Sequence, residues 1–366
     1  MQKEKQGKAY MKKNIHLEIV RIFALICIIF NHTGENGYLL FQVTDQSVLR
    51  MFSIFLSNLC KIGVPLFFMI SGALLIPKKE SLKELFVKRV LRIIIIIIAF
   101  SFIYYVRFYL QHPEYGFNLI FFVKLIYSEP FITPFWFLYS YLTFLLILPF
   151  LRRLALALSD MEYLYLGILA VVFLFLIKMP EYVLDCAINI SIPLLTTIII
   201  FPMLGYFIEN RLRKEFFSHR YYLLAWAAIL LNGCAGILMT YLYHRKTGIY
   251  DVIFVEKFNL IPAVAVFFII KYSCDRLGHS ISEKGMHAPL SQRKERVILY
   301  VGSCTFCTYL FEEMLRIDLF IKLFAQFSPP LPTLLVSVLY IVCMLVAGVA
   351  VSTVLKRLPG MKWLGL

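Results

Sequence analysis

Long apolar runs alternate with short polar connections along this chain, and the runs have the length of membrane helices. A spanning helix needs about 20 mainly apolar residues. Ten segments come close: 17–34, 56–76, 90–110, 133–150, 161–178, 190–208, 221–242, 255–271, 295–311 and 331–354. The pattern predicts an all-α, polytopic bundle of about ten transmembrane helices. Segments 255–271 and 295–311 are the weakest, being short with charged or polar neighbours. The stretch 111–132 begins polar and turns apolar, which predicts an interfacial or re-entrant helix over 117–127; 312–330 reads as a second. The polar stretch 272–294, with Gly and Pro, reads as a flexible connector. None of the connections is long enough for a separate domain of about 50 residues. The expected organisation is a basic segment 1–16, a membrane domain 17–354 and a basic tail 355–366. The first apolar run follows MQKEKQGKAYMKKN with no small-residue cleavage site after it, so it is expected to be a retained span.

Composition agrees, with 60% hydrophobic and 16% charged residues, against about 25% charged in soluble domains. A soluble enzyme, a secreted disulfide scaffold and a disordered chain are excluded. The net charge of +15 raises the question of nucleic acid, and the placement of the charge answers it. With the N-terminus inside, the inner segments hold 26 Lys and Arg and the outer connections 10, Arg21 in the first span completing the 37. Cytoplasmic connections of membrane proteins carry this bias, so both termini are expected in the cytoplasm. Membrane lipids, not nucleic acid, are the expected surroundings. The eight cysteines are scattered, and Cys304-x-x-Cys307 has no second pair. The seven histidines show no metal-ligand spacing, so no metal is expected.

An ionisable group inside a span is costly unless paired or hydrated, which makes it a functional candidate. Arg21 and His32 are 11 residues apart, so they share a helix face about 16 Å apart along the axis. Glu18 lies near the same stripe, placed to orient or neutralise Arg21. The alternative for Arg21 is snorkelling to headgroups, and for His32 a structural hydrogen bond. Histidine ordinarily titrates near pH ~6.5, which suits a general base. Glu35, as catalytic carboxylate, would fix its tautomer, or else is a wetted helix end. Gly63, Pro65, Ser71 and Gly72 interrupt the second span as packing or kink positions. Lys88, Arg89 and Arg92 lead into the third span; they are phosphate ligands or a positive-inside anchor. Trp136, Tyr139 and Tyr141 open the fourth span as an aromatic belt or an acceptor contact. Late in the chain, Tyr309 precedes Glu312, which faces a pocket or ends a solvated helix.

Five motifs occur together: EIVRIFALICIIFNH, with Arg21 and His32; GVPLFFMISGALL at 63–75; KRVLRI at 88–93; PFWFLYSYL at 134–142; and SCTFCTYLFEEML at 303–315. In this combination the chain resembles the acyltransferase-3 family of integral membrane acyltransferases, which modify surface glycans and related acceptors. The likeness covers about residues 14–355. Two departures stand out. The late helix commonly carries a His after its Tyr-Leu pair, where this chain reads Tyr309-Leu310-Phe311-Glu312. The Pro that often follows the basic pair is replaced by the run Ile93–Ile98. Some members carry a fused extracytoplasmic hydrolase-like domain, for which this chain is expected to have no room.

The resemblance implies O-acyl transfer in a cell membrane, with acetyl-CoA or another acyl-CoA as donor substrate and no tightly bound cofactor. Arg89, Arg92 and Lys88 would hold the donor's phosphates on the cytoplasmic side. His32 would be the base, Arg21 would orient the donor or stabilise charge, and Glu35 would assist. Trp136, Tyr309 and Glu312 would contact a glycan or lipid-linked sugar acceptor, with glycan-biosynthesis proteins as partners. The rival reading is a glycan exporter or flippase without acyl transfer, for which no duplicated half is visible.

Overall fold

The computed structural model describes residues 14–128, 130–184, 186, 190–283, 289–316, 323–324, 326–327, 332–358 and 360. The basic segment up to residue 13, much of 312–330 and most of the tail 355–366 lie outside the described residues. Among the described residues every regular element is a helix. The main ones are α1 (Ile15–Asn31), α2 (Ser47–Cys60), α3 (Gly63–Leu75), α4 (Leu91–Gln111), α5 (Leu119–Ser128) and α6 (Trp136–Ala157). They continue as α7 (Asp160–Val171), α8 (Thr197–Asn210), α9 (His219–Thr247), α10 (Leu260–Glu283), α11 (Pro289–Leu315) and α12 (Thr333–Leu355). Six helical stretches in this set are long and apolar enough to cross a membrane: Ser47–Leu75, Leu82–Gln111, Thr133–Ala157, Asp160–Glu181, His219–Thr247 and Thr333–Leu355. Their outer surfaces are apolar; Phe150, Leu231 and Val346 are each more than 60% exposed. A protein surrounded by water rarely shows so much, whereas lipid accepts it.

The helix ends follow from local chemistry. Ser81 with Glu84, and Ser159 with Glu162, form capping boxes that satisfy orphan N–H groups at the starts of the Leu82 and Asp160 helices. The second apolar run is split between α2 and α3 at Lys61 and Ile62. Pro65 then falls in the first turn of α3, where its missing N–H costs nothing.

Four helices differ from the apolar segments. α8 has 14 residues where 190–208 suggested a full span, because Pro193 diverts the chain into a 3-10 turn first. Packing compensates for its shortness. Gly72 of α3 meets the Pro202 carbonyl, and Gly205 of α8 meets the Met69 backbone, so closely that a Cβ at either would collide. This is the small-residue crossing by which helices associate in lipid. α2 begins at Ser47, inside an expected outer connection. α10 and α11 extend into the expected connector 272–294, running to Glu283 and restarting at Pro289. Polar residues continue a helix readily once it leaves the membrane, so apolar length understated both. The predicted helix at 117–127 is α5, a mostly exposed ten-residue helix.

Candidate active site

Five helices close around a cavity of about 350 Å³. The chain directions give it two unlike ends. α1 and α11 run in parallel, bringing Glu18 against Gly302 and, further along, His32 against Glu312. α3 and α6 run the opposite way. The cavity therefore has Arg21, Lys78, Arg89 and Arg92 at one end, and Ile28, Phe67, Phe137 and Tyr309 at the other.

The basic end is held in shape by carboxylates. Arg21 Nη1 donates to Glu18 Oε2 at 2.7 Å. Glu18 is buried against Gly302, where a Cβ would displace its carboxylate. Arg89 forks onto Glu80, with Nε at 3.1 and 3.2 Å from the two oxygens and Nη2 at 2.5 Å. Arg152 reaches the same carboxylate through Nη2 at 2.7 Å and donates from Nε to the Leu75 carbonyl at 3.0 Å. The Arg89 fork, with Arg152 behind it, holds the Glu80 carboxyl at about 2 against the opposing effect of burial. Burial lowers Lys78, and the neighbouring Arg89 lowers it further. Arg92 lines the cavity with no acidic partner among the described residues. The end thus gathers five cations and two anions, an arrangement suited to phosphate groups.

Past the apolar end lies a second constellation. His32 caps α1, four residues after Ile28, about 6 Å further along the axis. Its Nδ1 is 2.8 Å from Glu312 Oε2, and Tyr340 donates its hydroxyl to Glu312 Oε1 at 3.3 Å. Glu312 is only 2% exposed. A carboxylate can only accept, so Nδ1 carries the proton in the neutral ring and the lone pair sits on Nε2. This is the geometry of a general base held by a carboxylate.

Arg21, Arg89, Arg92 and Tyr309 line the cavity, and Glu312 pairs with His32. Three expected site residues stand elsewhere. Glu35 is exposed on the turn Gly34–Asn36, and the carboxylate at His32 is Glu312 instead. Lys88 is exposed and bonded to Glu84 at 3.0 Å. Trp136 is 46% exposed at the start of α6, off the cavity. Tyr309 is tethered through its hydroxyl to the Pro134 carbonyl at 2.5 Å. Sequence reasoning passed over Glu80, Arg152 and Tyr340. A lone acid among the lysines of PKKES was a signal for Glu80; nothing in the apolar run around Tyr340 marked it.

A family model described as an acyltransferase domain matches residues 14–357. No curated protein and no solved structure gives a significant match. The family match takes in α1 through α12, the cavity and the His32–Glu312 pair together. The chain belongs to the acyltransferase-3 family of membrane acyltransferases.

Proposed function

We propose that this acyltransferase carries an acyl group from an acyl-CoA, foremost acetyl-CoA, to a hydroxyl of a cell-surface glycan or lipid-linked sugar. One observation carries the reading: a single cavity runs from a cluster of cations to an apolar end, one helical turn short of a histidine held by a buried carboxylate. The cations suit the donor's phosphates and the apolar length suits its arm. On this reading Arg21, about 16 Å from His32 along α1, orients the donor at its phosphate-bearing end.

His32 Nε2 takes the proton of the acceptor hydroxyl while the oxygen attacks the thioester carbonyl. The C–S bond breaks and the ester forms; the CoA thiolate leaves and takes its proton from cytoplasmic water, and the His32 imidazolium releases the acceptor's proton on the outer side. Glu312 stabilises the imidazolium, as a buried carboxylate does for a catalytic histidine. The charge distribution supports the placement: all ten apolar segments cross, both termini and the Arg21 end face the cytoplasm where CoA resides, and His32 lies toward the far side. The membrane on this reading is the cell membrane.

Mass spectrometry of surface glycans from cells making the wild type, His32→Ala, or no protein tests this. An acyl mass increment is expected in the wild type alone. The same increment in cells lacking the protein would overturn the assignment.

A further inference from the structure

The apolar end of the cavity is built as a wall. Phe137 sits at its centre, edge-on to Tyr309 with ring centroids 5.5 Å apart and an interplanar angle of 83°. Phe67 and Phe68 flank it at 5.9 and 5.6 Å. Tyr141 stacks beneath at 5.8 Å. Tyr309 cannot easily turn aside, because its hydroxyl bonds the Pro134 carbonyl in the turn that starts α6. Phe137 and Tyr309 are 8% and 6% exposed, so the wall is a packed part of the core.

We infer that the Phe137–Tyr309 pair is an end stop that restricts the donor to a short, uncharged acyl group. The inference rests on the donor reading above and adds which acyl group the site takes. With the donor's phosphates held by the cations, the acyl group is the part that meets the wall. A longer chain has to displace rings already in close contact, and a densely packed interior resists such insertion. A terminal carboxylate, as in a succinyl group, would face Ile28, Phe67 and Phe137, with no cation at that end of the lining among the described residues, and a buried unpaired charge is strongly disfavoured. Acetyl and propionyl groups fit; hexanoyl and succinyl groups do not.

The test uses the full chain in lipid nanodiscs and titrates acetyl-, hexanoyl- and succinyl-CoA by calorimetry. The wild type is expected to bind acetyl-CoA at least about tenfold more tightly than either other thioester. Phe137→Ala opens the wall without adding charge. Each methylene newly housed is worth roughly fourfold in affinity, so its hexanoyl-to-acetyl ratio rises by tenfold or more while succinyl-CoA stays weak. Phe67→Ala opens the same wall from α3 and serves where Phe137→Ala fails to fold. Equal wild-type affinity for all three donors would overturn the end stop and leave the donor reading standing. So would an unchanged hexanoyl-to-acetyl ratio in a folded variant. A wild type that binds none of the three thioesters would instead sink the donor reading itself.

Discussion

At the scale of single residues, Glu80 joins two arginines through one carboxylate, and its titration has a definite sign. Its folded pKa of about 2 lies below the ordinary carboxylate value of 4.5. Its contribution to stability is therefore full above pH ~4.5 and is lost as the pH falls through about 2. Glu80→Gln should melt below the wild type at pH 7, and the gap in Tm should narrow as the pH drops from 5 toward 3. A gap that stays constant would show that the ionisation of Glu80 contributes nothing to it. His32→Ala should cut acyl transfer by about 100-fold or more, the usual range for a lost general base, with the protein still folded. Tyr340→Phe keeps the ring and removes the hydroxyl bonded to Glu312. It should lower kcat by a smaller factor and shift the pH–rate profile, which a purely structural tyrosine would not do.

Among the elements, α1 sets the registration of the whole site. It carries Arg21 to the cavity and His32 to Glu312 on one face, so one alanine inserted after Ala24 rotates His32 by about 100° relative to Arg21. Transfer should be abolished, while donor binding at the Arg21 end should persist in calorimetry. The α3–α8 crossing makes a different demand. Leucine at Gly72 or Gly205 would be forced into opposing backbone, and overpacking of this kind costs about 1–3 kcal/mol or more. Reduced yield and a lower Tm in detergent would register it. These elements also show what was legible in advance. Apolar length marked ten segments, and each overlaps helical structure, with 56–76, 190–208 and 255–271 interrupted by turns; six helical stretches among the described residues have spanning length and apolarity, because lipid imposes both the length and the helical backbone. The break at Lys61, the shortness of α8 and the extensions of α10 and α11 were not legible, since they depend on local turns and on how far a helix projects from the membrane. Arg21 and His32 were legible because both sit on one helix with one period. The partner of His32 was not, since Glu312 lies 280 residues away and Glu35 only three.

For the molecule as a whole, the placement of basic residues makes its orientation testable. In a background with the exposed Cys186 and Cys234 replaced by serine, Glu35→Cys is expected to react with an impermeant thiol reagent added to intact cells, and Lys79→Cys only after the cells are opened. The reverse pattern would invert the proposed topology. Once the orientation holds, the separation of the basic cavity from the His32–Glu312 pair has an electrical consequence. Acyl transfer from one end to the other formally moves an acylium cation outward and leaves a thiolate behind. His32 is 26% exposed and in the proposed orientation lies toward the outer side, so the acceptor's proton leaves toward the outside. Each turnover then moves one positive charge outward against an interior-negative voltage, at up to about 2.3 kcal/mol per 100 mV. The enzyme should therefore run faster in vesicles whose membrane potential has been collapsed by an ionophore.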